Sequence, residues 1–125
     1  MTPSLFEAEN YNAMNGIGIN NNCKDEGGGK NIGWIDPGDW MEYSIRVDLA
    51  GQYRIDYRYA ANQQNIQLNL MSGTTVLGSI DGPPTGGWQT WGTVSHYIDL
   101  PAGEYTLRIE ATGGGWNLNK FEVIY

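Results

Sequence analysis

The chain reads as an all-β protein, a two-sheet antiparallel β-sandwich of the jelly-roll kind. Three observations predict this. Apolar and polar residues alternate through most of the chain, no segment sustains a 3.6-residue period, and 18 glycines accompany 8 tyrosines and 5 tryptophans in 125 residues. That composition suits short strands joined by glycine-rich loops, and a chain of this length buries a core as one domain, residues 1–125, with no linker or internal repeat.

The strands follow in order. SLFEAE, residues 4–9, opens the series. In WMEYSIRVDL, residues 40–49, Met41, Tyr43, Ile45, Val47 and Leu49 share one parity while Glu42, Ser44, Arg46 and Asp48 share the other, the signature of a half-buried strand. Tyr53, Ile55, Tyr57 and Tyr59 then alternate against Arg54, Asp56 and Arg58, and Ala50-Gly51 between the two runs reads as the turn of a hairpin. Ile66/Leu68/Leu70, Thr75 to Ile80, Val94/His96/Ile98/Leu100, Tyr105/Leu107/Ile109 and Phe121/Val123/Tyr125 complete a set of eight or nine strands.

Charge narrows the function classes. Seven basic residues against 14 acidic ones give a net charge of -7, and no Lys/Arg cluster offers a grip on phosphate backbones or anionic lipid. Nucleic acid and membrane surfaces are therefore not expected partners. No apolar run is long enough to span a bilayer, and MTPSLFEAEN lacks a basic n-region and an apolar h-region, so the sequence reads as a mature or excised domain. Cys23 has no second cysteine to pair with, and with a single histidine it does not make a zinc site.

The polar residues gather in three loops. MNGIGINNNCKDEGGGKNIG (residues 14–33), DGPPTGG (81–87) and ATGGG (111–115) are each followed by aromatics or an amide: Trp34, the Trp88/Trp91 pair, and Trp116-Asn117. Loops of a sandwich collect at its two ends, so these three are expected to converge on one site.

A catalytic reading finds little support. Asp25, Glu26, Asp36 and Asp39 are available acids, but Asp36 and Asp39 sit in an IDPGDW turn that suits backbone bracing. His96 lies in an apolar run with no nucleophile motif, and GGGKN lacks the GK[ST] ending of a phosphate loop. No catalytic residue is assigned. Glu7 and Glu9, at i and i+2 on a strand, place two carboxylates on one side, which calls for strong donors or a hard cation such as calcium.

LFEAENYNAMNGIG, DEGGGKNIGWIDPGDWMEY, TGGWQTWGTV, LPAGEYTLRIEA and GGGWNLNKFEV resemble, in order, the signature segments of family 6 carbohydrate-binding modules, from Leu5 to Val123. The resemblance implies a non-catalytic jelly roll that binds a polysaccharide such as laminarin-type β-glucan, xylan or an agarose-type galactan. It implies further that the module is attached to a glycoside hydrolase, secreted and monomeric. Trp34 and Trp91 would clamp a sugar ring, whose C–H face suits stacking on indole, and Asn117 would bond hydroxyls. Asn20 stands where relatives often carry Glu, so a charge-assisted acceptor is missing there. Trp88 is expected to pack, Trp40 marks a second candidate surface on the sheet face, and Trp116 either edges the loop site or packs against a loop. The resemblance also implies a structural calcium held by Glu7, Glu9, a carbonyl near Lys24, and Asn119 in place of a more usual Asp. The alternative function is a protein-interaction or adhesion sandwich, with a broader contact surface.

Overall fold

The structure is a computed structural model that describes residues 4–125; Met1–Pro3, part of the stretch read for a leader, lie outside the described residues. Its strands are β1 (Ser4–Glu7), β2 (Ala13–Asn15), β3 (Gly18–Asn20), β4 (Asn31–Gly33), β5 (Trp40–Val47), β6 (Gly51–Ala61), β7 (Ile66–Ser72), β8 (Thr75–Gly82), β9 (Gly92–Leu100), β10 (Gly103–Ala111) and β11 (Trp116–Ile124). One sheet runs β3-β4-β11-β6-β9, with β1 also paired to β11; the other runs β2-β5-β10-β7-β8. Every pairing among these strands is antiparallel, and the two sheets form the expected sandwich.

The expected hairpin at Ala50-Gly51 is not formed. β5 lies between β2 and β10, whereas β6 lies between β11 and β9 in the facing sheet. The connection is an arch that carries the chain across the core. Alternation cannot separate the two cases, because Met41, Tyr43, Ile45 and Val47 bury their parity just as Tyr53, Ile55, Tyr57 and Tyr59 do, from opposite sides. The glycine-rich segment also holds three strands that alternation did not reveal, since β2, β3 and β4 span only three residues each. Gly18↔Gly33, Ile19↔Ile32 and Asn20↔Asn31 pair β3 with β4, and Leu118↔Ile32 attaches the ladder to β11.

The core is rich in rings. Phe6 stacks on Phe121 at 4.8 Å between centroids, and Tyr43 meets Phe121 edge-on at 4.9 Å. Such pairs contribute about 0.5–1.5 kcal/mol each beyond area burial. Tyr43 is buried, yet its hydroxyl donates to the Ala8 carbonyl at 2.7 Å, so that hydroxyl is not stranded and the chain after β1 is fixed.

A bulge in β11 positions both candidate sites. The register with β6 slips between Leu118 and Lys120, so the core-facing parity changes from Trp116 and Leu118 to Phe121 and Val123. Asn117 and Asn119 therefore fall off the core side at the head of the strand, both of them buried. At the opposite edge His96 joins the sheets. Tyr57 donates its hydroxyl to Nε2 at 2.9 Å, and Nδ1 lies 3.3 Å from the Ser79 carbonyl on β8. The tautomer with its proton on Nδ1 satisfies both contacts.

Candidate functional site

The three loops converge as expected. Asn20 and Asn31 of the first, Trp88 and Gln89 after the second, Gly115 of the third and Trp116 and Asn117 after it line one cleft of about 510 Å³, together with Trp34, Ile35 and Asp36.

Trp34 is built to stand up from this surface. It has φ of 54°, a left-handed conformation that costs a bulky side chain about 1–3 kcal/mol and is tolerated where surrounding structure enforces it. Its ring lies against Gly18, where a Cβ would come within 2.8 Å of Trp34 Cε3, and the residue remains 68% exposed. Gly33 clears space on the other side: a Cβ there would meet Asn117 Oδ1 at 2.5 Å. Asn117 donates through Nδ2 to the Trp88 carbonyl at 2.7 Å, tying the end of β11 to the second loop.

Trp88 and Trp91 differ in exposure from what was expected of them. Trp88 is 49% exposed and lines the cleft; Trp91 is half-buried and is not among the lining residues. The cause is local. Gly86 adopts φ of 93° and Thr90 N–H donates to the Gly87 carbonyl, a turn that lifts Trp88 at its apex. Trp91, one residue before β9, turns its indole N–H to Gln89 Oε1 at 3.2 Å. The same Oε1 accepts from the Lys24 backbone N–H at 2.8 Å, and Gln89 Nε2 donates to Asn31 Oδ1 at 3.2 Å. Gln89 and Asn31 were not singled out from the sequence. The paired glycines before Trp88 are the signal that could have placed the apex.

The remaining tryptophans are occupied. Trp116 is fully buried, donates Nε1–H to the Gly113 carbonyl at 2.7 Å and serves as the cleft floor. Trp40, on β5, has the Arg108 guanidinium 4.0 Å over its ring. Of the two acids in the IDPGDW turn, Asp39 braces it, accepting the Asp36 N–H at 2.9 Å, while Asp36 faces solvent at the cleft. That single carboxylate among the lining residues falls short of the pair that glycoside hydrolysis requires. The exposed rings and amide edges suit a ligand with flat apolar faces and polar rims.

The acidic residues around the start of the chain form a second cluster. Ala8 N–H donates to the Asn119 carbonyl, which sets Glu7 and Glu9 beside the β11 bulge. Glu9 Oε1 is buried with no hydrogen-bond partner, alone in this among the described side-chain atoms. Burial raises the Glu9 pKa, the charge of Glu7 adds to the effect, and a bond to its own backbone opposes it. The nearby Cys23 thiol is likewise pushed up, first by burial and then by the charges of Asp25, Glu9 and Glu7. Asp25 is held down at about 2, chiefly by Arg58, whose Nε and Nη2 donate to it at 2.9 and 3.0 Å. Asn119 Nδ2 also donates to Asp25 at 2.8 Å, which leaves the amide oxygen Oδ1 unused by that bond. No group of three or more His, Cys, Asp or Glu side chains among the described residues is arranged as a metal cage. Two carboxylates supplemented by carbonyl oxygens are nonetheless a hard-oxygen set, and an orphaned buried carboxylate oxygen fits a cation.

Comparison with known proteins places the chain. The clotting factor G alpha subunit of Tachypleus tridentatus is 38% identical over 122 residues, a match covering 95% of this chain and 18% of that protein. The chain thus spans about a fifth of the length of that relative. Among solved structures, the module CBM6cm-2 from Cellvibrio mixtus lichenase 5A, in complex with cellotriose, superposes with a TM-score of 0.93 at 38% identity, covering 98% of this chain and 96% of that one. The C-terminal module of LamC, a marine laminarinase from Zobellia galactanivorans, gives 0.92 at 35% identity over 99% and 100% of the two chains. The family described as "Carbohydrate binding module (family 6)" matches residues 7–124, so the chain belongs to the family 6 carbohydrate-binding modules, which are non-catalytic sugar-binding domains.

Proposed function

We propose that this module binds β-glucan, with β-1,3-glucan as the leading ligand, by stacking a glucosyl ring between Trp34 and Trp88 in the loop cleft. The observation that carries the reading is the pair of exposed indoles facing one cleft over a buried asparagine. Asn117 and Asn20 supply hydroxyl contacts, and Trp91 supports the cleft wall through Gln89. The β-glucan assignment draws on relatives at 35–38% identity: one module in complex with cellotriose and one belonging to a laminarinase. Capture of this kind involves no covalent step. It holds an attached glycoside hydrolase domain near its polymer and raises the local concentration of substrate. Secretion and a monomeric state belong to the same proposal, as does indifference to nucleic acid and anionic membrane, which the charge of -7 favours.

Two stacked rings and a few hydroxyl bonds correspond to dissociation constants from about 1 μM to 1 mM, or roughly -8 to -4 kcal/mol. Calorimetric titration with laminari-, xylo- and agaro-oligosaccharides tests the assignment. Saturable binding to the laminari series is expected; saturation by only xylo- or agaro-oligosaccharides would replace the ligand class, and displacement by none would turn attention to a protein partner.

We propose in addition a structural calcium held by Glu7, Glu9, the Lys24 carbonyl and Asn119 Oδ1. Bound there, it would neutralise the paired carboxylates and pin β1 and the first loop to β11. Thermal unfolding with calcium should show a higher midpoint than with a chelator. Coincident midpoints would dismiss the ion.

A further inference from the structure

Resting on the cleft reading above, a further assignment concerns which glycans the cleft admits. Its polar groups are unequally free to meet a ligand. Gln89 is committed to Lys24, Trp91 and Asn31, and Asn31 donates its own amide to the Ile32 carbonyl. Asn20 Oδ1 accepts from the Asn22 N–H, and Asn117 Nδ2 is spent on Trp88. Asp36 differs from all of these. It lines the cleft and is exposed, and its carboxylate carries no hydrogen bond or ion pair to a described residue.

The backbone beneath Asp36 is nevertheless fixed. Its N–H donates to Asp39 Oδ2 and its carbonyl accepts from the Asp39 N–H, while the Gly115 N–H holds the Ile35 carbonyl at 3.1 Å. Gly114 lets the third loop pass close by, since a Cβ there would come within 3.1 Å of Asp36 Cα. A free carboxylate on a rigid turn, two residues from the stacking Trp34, is thus presented to the edge of a stacked ring. No Lys or Arg lines the cleft to offset its charge, and the whole chain is acidic.

We infer that Asp36 is the specificity-determining carboxylate of the cleft: it accepts hydroxyl hydrogen bonds from a neutral glycan and turns away glycans bearing uronate or sulfate. A carboxylate accepts from two neighbouring hydroxyls at once, and bonds to an ionised acceptor are about twice as strong as neutral ones. It also supplies the charged acceptor that Asn20 does not. An anionic substituent at the same edge meets a like charge that no cation among the lining residues offsets.

The test is calorimetry of the wild type, Asp36→Asn, Asp36→Glu and Trp34→Ala against laminarihexaose and against the same oligosaccharide oxidised to carboxylates at C6. Asp36→Asn should weaken binding of the neutral sugar by about tenfold and narrow the neutral-to-oxidised preference by at least about tenfold. Asp36→Glu should weaken the neutral sugar yet keep the preference, a split that a merely structural role would not produce. Added salt should improve wild-type binding of the oxidised sugar and leave the neutral sugar unmoved. If Trp34→Ala loses binding while Asp36→Asn retains both affinity and preference, the inference on Asp36 fails and the cleft stands. If Trp34→Ala binds like the wild type, the cleft reading fails and this inference falls with it.

Discussion

The loop-end cleft and the sheet face around Trp40 both offer indole at the surface, but only one leaves it uncovered. Trp34 and Trp88 are 68% and 49% exposed. Trp40 lies under the Arg108 guanidinium, and Arg108 is in turn held by Glu42, its directly opposed cross-strand neighbour, at 2.8 Å, with Glu110 at 3.8 Å. The ring's electron-rich face is already spent within the molecule. An aromatic side chain is thus a ligand platform only when its own neighbours leave its face free, which strand parity does not report.

The sharpest way to break this contrast is to remove the rings in turn. Trp34→Ala and Trp88→Ala should each lower affinity for the bound oligosaccharide by about 30-fold or more, equivalent to about 2 kcal/mol, while Trp40→Ala leaves it unchanged. Trp34→Gly adds a refinement. It deletes the ring and also relieves the positive φ, so binding is lost while the thermal midpoint holds or rises. Normal binding by both cleft variants, with loss in Trp40→Ala, would move the site to the sheet.

How much of this was legible beforehand follows from what each signal measures. Period-two alternation reports burial on one face, so it found the long strands and the core residues from Met41 to Val123. It is blind to which sheet a strand joins, hence the misplaced hairpin at Ala50-Gly51, and to strands as short as β2, β3 and β4. The order of signature segments brought Asn20, Trp34 and Asn117 to one cleft, because glycine-rich loops must gather at a sandwich end. It could not rank Trp88 against Trp91, three residues apart. The turn closed by the Thr90 N–H on the Gly87 carbonyl, together with the hydrogen bond from Trp91 to Gln89, decides that. Trp116 shows the converse: its position after a glycine loop suggested an edge, yet its N–H is satisfied by Gly113 and the ring is buried as floor.

A smaller effect tests the covered side of the comparison. Arg108→Ala removes the cation over Trp40, the hydrogen bond from Nε to Glu42 Oε2 at 2.9 Å and the ion-pair contact of Nη2 with the same oxygen at 2.8 Å. Stability should fall by about 1 kcal/mol, the combined scale of a partly exposed ion pair and a cation–π contact. Acrylamide should then quench Trp40 more readily, measured in a background where Trp34 and Trp88 are replaced by phenylalanine. Affinity in the loop cleft of the otherwise wild-type chain should not change. Unaltered quenching would mean that Arg108 does not shield the ring.

The smallest effect concerns the scaffold that both regions share. His96 bridges the sheets as a neutral ring, accepting from Tyr57 and facing the Ser79 carbonyl, and burial lowers its pKa from the ordinary 6.5, against a smaller raising influence of the Ser79 bond. The native state therefore holds fewer protons on this ring than the unfolded chain does just below that value. The stability contributed by this ring is present above pH 6.5 and is lost as the pH falls beneath it, because protonation converts Nε2 from the acceptor of the Tyr57 hydroxyl into a competing donor. Urea unfolding midpoints measured on both sides of this pH should show the decline in the wild type and a shallower one in His96→Gln. Because the bridge joins β8 to β9 at the sandwich edge and touches none of the cleft residues, glycan affinity should stay level while stability drops. Parallel loss of both in the wild type, or an unchanged slope in His96→Gln, would show that the proton acts elsewhere.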